Sequence, residues 1–228
     1  MSSKNGERRA ESRKPEQPAG WYDFRFSRVL EILTRQQRPG HVGEIGVYCG
    51  QSLEALCRVL RPGELAVGVD CFEDQAANVS GSGVGASLAA STAATAGYPV
   101  RWLIGNSRHF TRLNYRNALD TTETPYRLWH VDGGHDVDTC LHDLTETAAT
   151  LAEDGMLIVD DVFNPQWPTV SEAFYAWLDS VRQFGQPCDW RPIFCGYGKV
   201  CLAQRKFADL PGVLVNWLNN PCRVIREW

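Results

Sequence analysis

"YRLWHVDGGHDVDTCLHDLTETAATLAEDGMLIVDD", residues 126–161, reads as two short apolar strands joined by one amphipathic helix. The runs at 126–132 and 155–161 are strand-length and bounded by Gly and acidic residues. Between them, Val137, Leu141, Leu144, Ala148 and Leu151 share one face of a helix over 137–152. Asp136 and Asp138 stand at its positive N-terminal end. Strand, helix and strand in this order predict a right-handed crossover between parallel neighbours. Both strands stop in carboxylates: Asp132 on the first, Asp160 and Asp161 on the second.

The same alternation continues upstream. An amphipathic entry helix (23–36) precedes a strand "HVGEIGV" (41–47), a helix "SLEALCRVL" (52–60) and a strand "LAVGVD" (65–70). A Gly-rich loop turning into an Ala-rich helix (80–98) leads to a strand "VRWLIG" (100–105). Downstream, a helix (169–184) precedes "WRPIFCGYGKVCLAQR" (190–205), two strands around a turn that holds a solvated Lys199. The expected fold is α/β: a Rossmann-like, doubly wound, mainly parallel sheet with a C-terminal antiparallel hairpin.

The 228 residues suffice for one filled domain, taken as 21–228 behind a disordered tail at 1–20. A net charge of −4 gives no basic excess, so nucleic acid is not an expected partner. There is no apolar run behind Met1 and none long enough to span a bilayer. The expectation is a cytoplasmic protein without a membrane partner. Eight cysteines include no C-x-x-C pair and read as reduced core thiols.

In open α/β sheets ligands bind beyond the carboxyl ends of the strands. The loop "EIGVYCGQS" (44–52) lies there, with Gly46 and Gly50 allowing close backbone approach and Ser52 opening a helix. It matches neither G-x-G-x-x-G nor a P-loop. Asp70 closes the next strand, placed to accept hydrogen bonds from ribose hydroxyls; a plain turn-and-cap role is the alternative. Together these features favour a ribose-bearing ligand without a pyrophosphate, and Glu44 could orient a cationic amine.

Asp132 and Asp160 would sit on neighbouring strands about 4.8 Å apart, with Asp161 swinging toward the same point. Three such carboxylates repel and raise one another's pKa. A hard cation resolves that conflict, and oxygen ligands suit Mg²⁺, or Ca²⁺ or Mn²⁺. The alternative is a helix cap and two solvated turn residues.

"EIGVYCGQS", "VDCFEDQ", "GNS" and "VDGGH…VDD" resemble the ordered motifs of class I S-adenosylmethionine-dependent methyltransferases over residues 41–203. They are most similar to the metal-dependent small-molecule branch of macrocin-, mycinamicin- and novobiocin-type sugar O-methyltransferases. The resemblance implies that Glu44, Gly46, Tyr48, Gly50 and Ser52 line the methionine half of S-adenosylmethionine. Asp70 would bind ribose, and Phe72, Asn106 and Ser107 would flank adenine. Asp132, Asp160 and Asp161 would hold Mg²⁺; in metal-dependent O-methyltransferases, including the catechol type, the third position is often Asn. The implied acceptor is a hydroxylated small molecule, a sugar or natural product, and related enzymes often form homo-oligomers. His135 or Asp132 would take the acceptor proton. Cation-independent amine methylation and a non-catalytic cofactor-binding module are the rival readings.

Overall fold

The computed structural model describes residues 22–204, apart from 36, 75, 77, 79–82, 120–123 and 184–189. The tail expected at 1–20 lies outside the described residues.

Strands β1 (His41–Ile45), β2 (Ala66–Asp70), β3 (Val100–Ile104), β4 (Tyr126–Val131), β5 (Leu151–Asp160), β6 (Trp190–Gly196) and β7 (Lys199–Gln204) form one sheet in the order β3-β2-β1-β4-β5-β7-β6. The first five pair in parallel, and β7 runs antiparallel to both β5 and β6. Strand order reverses between β1 and β4, so their loops diverge and open a crevice at the carboxyl edge. The expected fold class is the one found.

Helices cover both faces. Phe26, Val29 and Leu30 of α1 (Arg25–Thr34) and Leu53 and Leu56 of α2 (Gln51–Cys57) pack on Val42, Leu128, Ile158 and Cys201. Leu88 of α3 (Leu88–Ala94) joins that cluster. On the other face, Tyr115 of α4 (Arg112–Asn117), Leu144 of α5 (Val137–Ala148) and Phe174 and Trp177 of α6 (Pro168–Gln183) pack on Ile45, Val67, Trp129 and Leu157. Because both faces are covered, every residue of β1 and β4 is buried.

Three local features depart from the sequence reading. α4 and a 3₁₀ turn at Ser107–His109 fill a stretch with no helical pattern; Thr111 and Asn114 form a capping box that starts α4. β5 begins at Leu151, because Tyr126 pairs with Leu151 ahead of a register shift. The buried side of α5 carries Thr139, Cys140, Asp143, Leu144 and Thr147, while Val137 and Leu141 pack beside Val170 and Ala173 of α6. On that polar side the Thr147 hydroxyl donates to the Asp143 carbonyl at 2.6 Å, while Thr139 Oγ1 and Asp143 Oδ1 are buried without a hydrogen-bond partner among the described residues. The described cysteines are free thiols. Among the described residues no helix is long and apolar enough to cross a membrane.

Candidate active site

β1 ends at Ile45 and the chain turns at Gly46 with φ +84°. A Cβ there would stand 1.7 Å from the Asp132 carbonyl oxygen, so only glycine lets the β1 and β4 loops lie this close. Tyr48 and Phe72 also take left-handed backbone, at φ 56° and 46°. Asp70 holds both turns: its carboxylate accepts the Tyr48 N–H at 2.8 Å and the Phe72 N–H at 2.7 Å. Each oxygen keeps a second lone pair for a hydroxyl.

These loops wall a cavity of about 540 Å³, within the usual range for small-molecule sites. Gly46, Tyr48, Ser52, Asp70, Asn106 and Ser107 line one part, and Asp132, His135, Asp160 and Asp161 line another. Glu44, Gly50 and Phe72 lie off the wall among the described residues. Phe72 is core, edge-on to Trp102 at 5.6 Å between ring centres. Gly50 caps α2 at φ +88°, and a Cβ there would meet the Ser91 Cα at 2.8 Å, so its work is to seat α2 against α3.

Glu44 is fully buried and serves a different row of charges. Strand register pairs Glu44 with His130 and Asp160 with Lys199. Alternation puts all four on the face that α1 covers. His130 Nδ1 lies 2.6 Å from Glu44 Oε1, and Lys199 Nζ lies 3.1 Å from His130 Nε2 and contacts the Asp160 carboxylate. The Lys199 Nζ stands 5.7 Å and 5.8 Å from the Tyr22 and Phe26 ring centres. Lys199 is only 4% exposed, which corrects the reading of it as solvated. The turn is Tyr197–Gly198, with φ 56° and 79°, the two-residue geometry that matches strand twist. Lys199 is therefore the first residue of β7.

Successive strand residues point to opposite faces, yet Asp160 and Asp161 both line the cavity. Asp161 manages this by leaving the pleat at φ 58°, held by its N–H donating to the Gly198 carbonyl at 3.1 Å. Its carboxylate accepts from Asn164 Nδ2 at 2.9 Å and meets His135 Nε2 at 3.0 Å. The His135 ring stacks on Trp167 at 4.3 Å. Asp132 lies between both groups, its ligand atom within 4.8 Å of His130 and Asp160 and, separately, of His135 and Asp161.

Burial and the neighbouring Asp160 push the Asp132 carboxyl well above the usual range, and Lys199 offsets only part of this. Burial would also raise Asp160, but the adjoining imidazole and ammonium outweigh it and hold that carboxyl low. Lys199 shows the mirror case: burial would lower it, and Asp160 and Asp132 keep it above its ordinary value.

The donor set suits a hard cation in kind, since it is rich in carboxylate oxygen. Its charges do not fit one as a three-carboxylate cage. One Asp160 oxygen carries the Lys199 ammonium, and the other accepts the Asp161 N–H at 2.9 Å. Both Asp161 oxygens have partners in Asn164 and His135. A divalent ion bound by these acids would sit beside a buried positive charge.

One further acid props the site. Asp143 accepts the Ser107 hydroxyl at 3.0 Å, and burial pushes its pKa up to about 8. Below about pH 4 both folded and unfolded chains hold this proton; above it the unfolded chain ionises first, so stability falls as pH rises toward 8. Asp143→Asn is expected to raise the melting temperature at pH 8 and leave it nearly unchanged at pH 4. Thermal unfolding at the two pH values checks this.

Asp70, Asp132, His135, Asp160 and Asp161, expected from the residues, and Asn106 and Ser107, expected from the resemblance, all line this one cavity. His130, Lys199 and Asp143 were not expected there. Their only available signals were polar residues inside strand and helix patterns.

The family model described as a methyltransferase domain matches residues 44–162. No curated protein matches the chain. Among solved structures, the O-methyltransferase TomG from Streptomyces achromogenes, in complex with S-adenosylmethionine, is 20% identical with a TM-score of 0.56, covering 80% of each chain. The O-methyltransferase NovP is 17% identical with a TM-score of 0.57, covering 79% of this chain and 78% of its own. An O-methyltransferase from Bacillus cereus, in complex with S-adenosylhomocysteine, is 15% identical with a TM-score of 0.56, covering 79% and 80%. These likenesses show a shared fold, and the family match spans just over half of the sequence. A class I methyltransferase fold with its crevice at the β1–β4 reversal, and a family match that runs from Glu44 to Val162, mean that this chain belongs to the methyltransferase-domain family.

Proposed function

We propose that the chain moves a methyl group from S-adenosylmethionine to a hydroxyl of a small molecule, a sugar or other natural product. One observation carries this reading: a single cavity runs from the Asp70 loops to the paired His135 and Asp161. The fold shared with proteins named as O-methyltransferases, two of them holding the donor or its product, supports it.

The donor, when bound, supplies a methyl carbon on a positively charged sulfur. Asp70 offers acceptor lone pairs to a ribose, and Asn106 and Ser107 stand on the same wall. His135 is the base, oriented by Asp161 and by stacking on Trp167. The His135–Asp161 pair takes the proton the hydroxyl sheds as its oxygen bonds to the methyl carbon and the C–S electron pair returns to sulfur. Asp132 faces the same space and is the alternative proton acceptor. The expected Mg²⁺ has no step in this chemistry, because Lys199 already neutralises Asp160.

Lys199 also bears on the rival acceptor. An ammonium fixed beside the acids disfavours a second cation, so a hydroxyl suits the site better than a charged amine. Incubating the full chain with methyl-labelled donor and matched hydroxyl- and amine-bearing compounds tests this. Label is expected on oxygen; label confined to nitrogen would overturn the proposal.

A further inference from the structure

Among the described residues, Lys199 is the one lysine or arginine on the cavity wall. Its position follows from the fold, since it is the cross-strand partner of Asp160 in the antiparallel β5–β7 ladder. α1 seals it from above with Phe26, and it is nearly solvent-free. A buried ammonium without a counter-charge is costly, and so is a row of facing carboxylates without a cation. Each removes the other's cost here. Two of the three Lys199 N–H donors go to Asp160 and His130, and Glu44 holds His130 from behind.

We infer that the Lys199 ammonium is the resident cation of this acid cluster, filling the electrostatic role for which a divalent ion was expected, so that the protein works without added metal. The catalytic half of this inference rests on the methyltransferase reading. The competition between lysine and metal does not. If Lys199 is what keeps a divalent ion out, removing its charge leaves the Asp132 and Asp160 carboxylates within 4.8 Å of each other without that ammonium, with Asp161 also within 4.8 Å of Asp132. Those oxygens then become an ordinary hard-cation site.

The test is Mn²⁺ binding to the full chain by electron paramagnetic resonance, comparing wild type with Lys199→Met, and S-adenosylhomocysteine calorimetry alongside. Wild type is expected to leave Mn²⁺ free in solution, with or without S-adenosylhomocysteine. Lys199→Met is expected to bind it at least about tenfold more tightly. Stoichiometric Mn²⁺ on wild type would overturn the inference, as would a folded Lys199→Met that gains no affinity. Should Lys199→Met not fold, Lys199→Gln takes its place. The wild-type melting temperature supplies a variant-free check: it should be the same in chelator and in MnCl₂, and a rise with MnCl₂ would contradict the inference. Failure of wild type to take up S-adenosylhomocysteine would count against the methyltransferase reading and leave the Mn²⁺ comparison decisive for the lysine.

Discussion

Gly46→Ala should not yield a normally folded protein. Its Cβ would lie 1.7 Å from the Asp132 carbonyl oxygen, and backbone cannot swing aside as a flexible side chain can. The residue also sits at φ +84°, which costs an L-side chain about 1–2 kcal/mol before any clash. Relief requires β1 and β4 to move apart at the point where Asp132 donates its N–H to the Ile45 carbonyl at 2.9 Å. The loss should exceed about 4 kcal/mol, in the range of exceptional single substitutions. Urea unfolding measures it directly. A midpoint within error of wild type would mean that the two loops are not held as described.

His135→Ala is expected to lower kcat by about 10²–10⁴-fold, the usual contribution of a positioned base. S-adenosylhomocysteine affinity should stay within about twofold, because the proposed role of His135 is toward the acceptor proton and not toward the donor. Asp161→Asn should give a smaller loss in kcat, since the amide still occupies the space but no longer stabilises the imidazolium. Single-turnover kinetics separates these effects from binding. A His135→Ala loss under about tenfold would move the base role to Asp132, and Asp132→Asn would then carry the large effect.

How much of this could be read from the chain alone follows from which forces are local. The helical spacing in 137–152 and the flanking apolar runs give β4, α5 and β5 in order, and glycines in "EIGVYCGQS" mark the loop that must approach another backbone. Parallel crossovers then bring Asp132, Asp160 and the loop residues to one edge of the sheet. What was not legible depends on pairing between distant strands. Nothing near Lys199 in the sequence says that β7 will run against β5 with Asp160 opposite it, so a lysine beside "GYG" looks like a turn residue. Glu44 reads as a ligand-facing acid until its partner His130 appears on β4 in register. Asp143 likewise sits in a helix pattern that gives no hint of Ser107 above it.

On this reading the cavity beside Asp70 holds an S-adenosyl donor. Titration calorimetry of the chelator-treated full chain with S-adenosylhomocysteine tests it most directly. The prediction is one site per chain, weakened by about tenfold or more in Asp70→Asn through loss of a charged hydrogen-bond acceptor. No binding heat with wild type, or equal affinity in Asp70→Asn, would contradict the account.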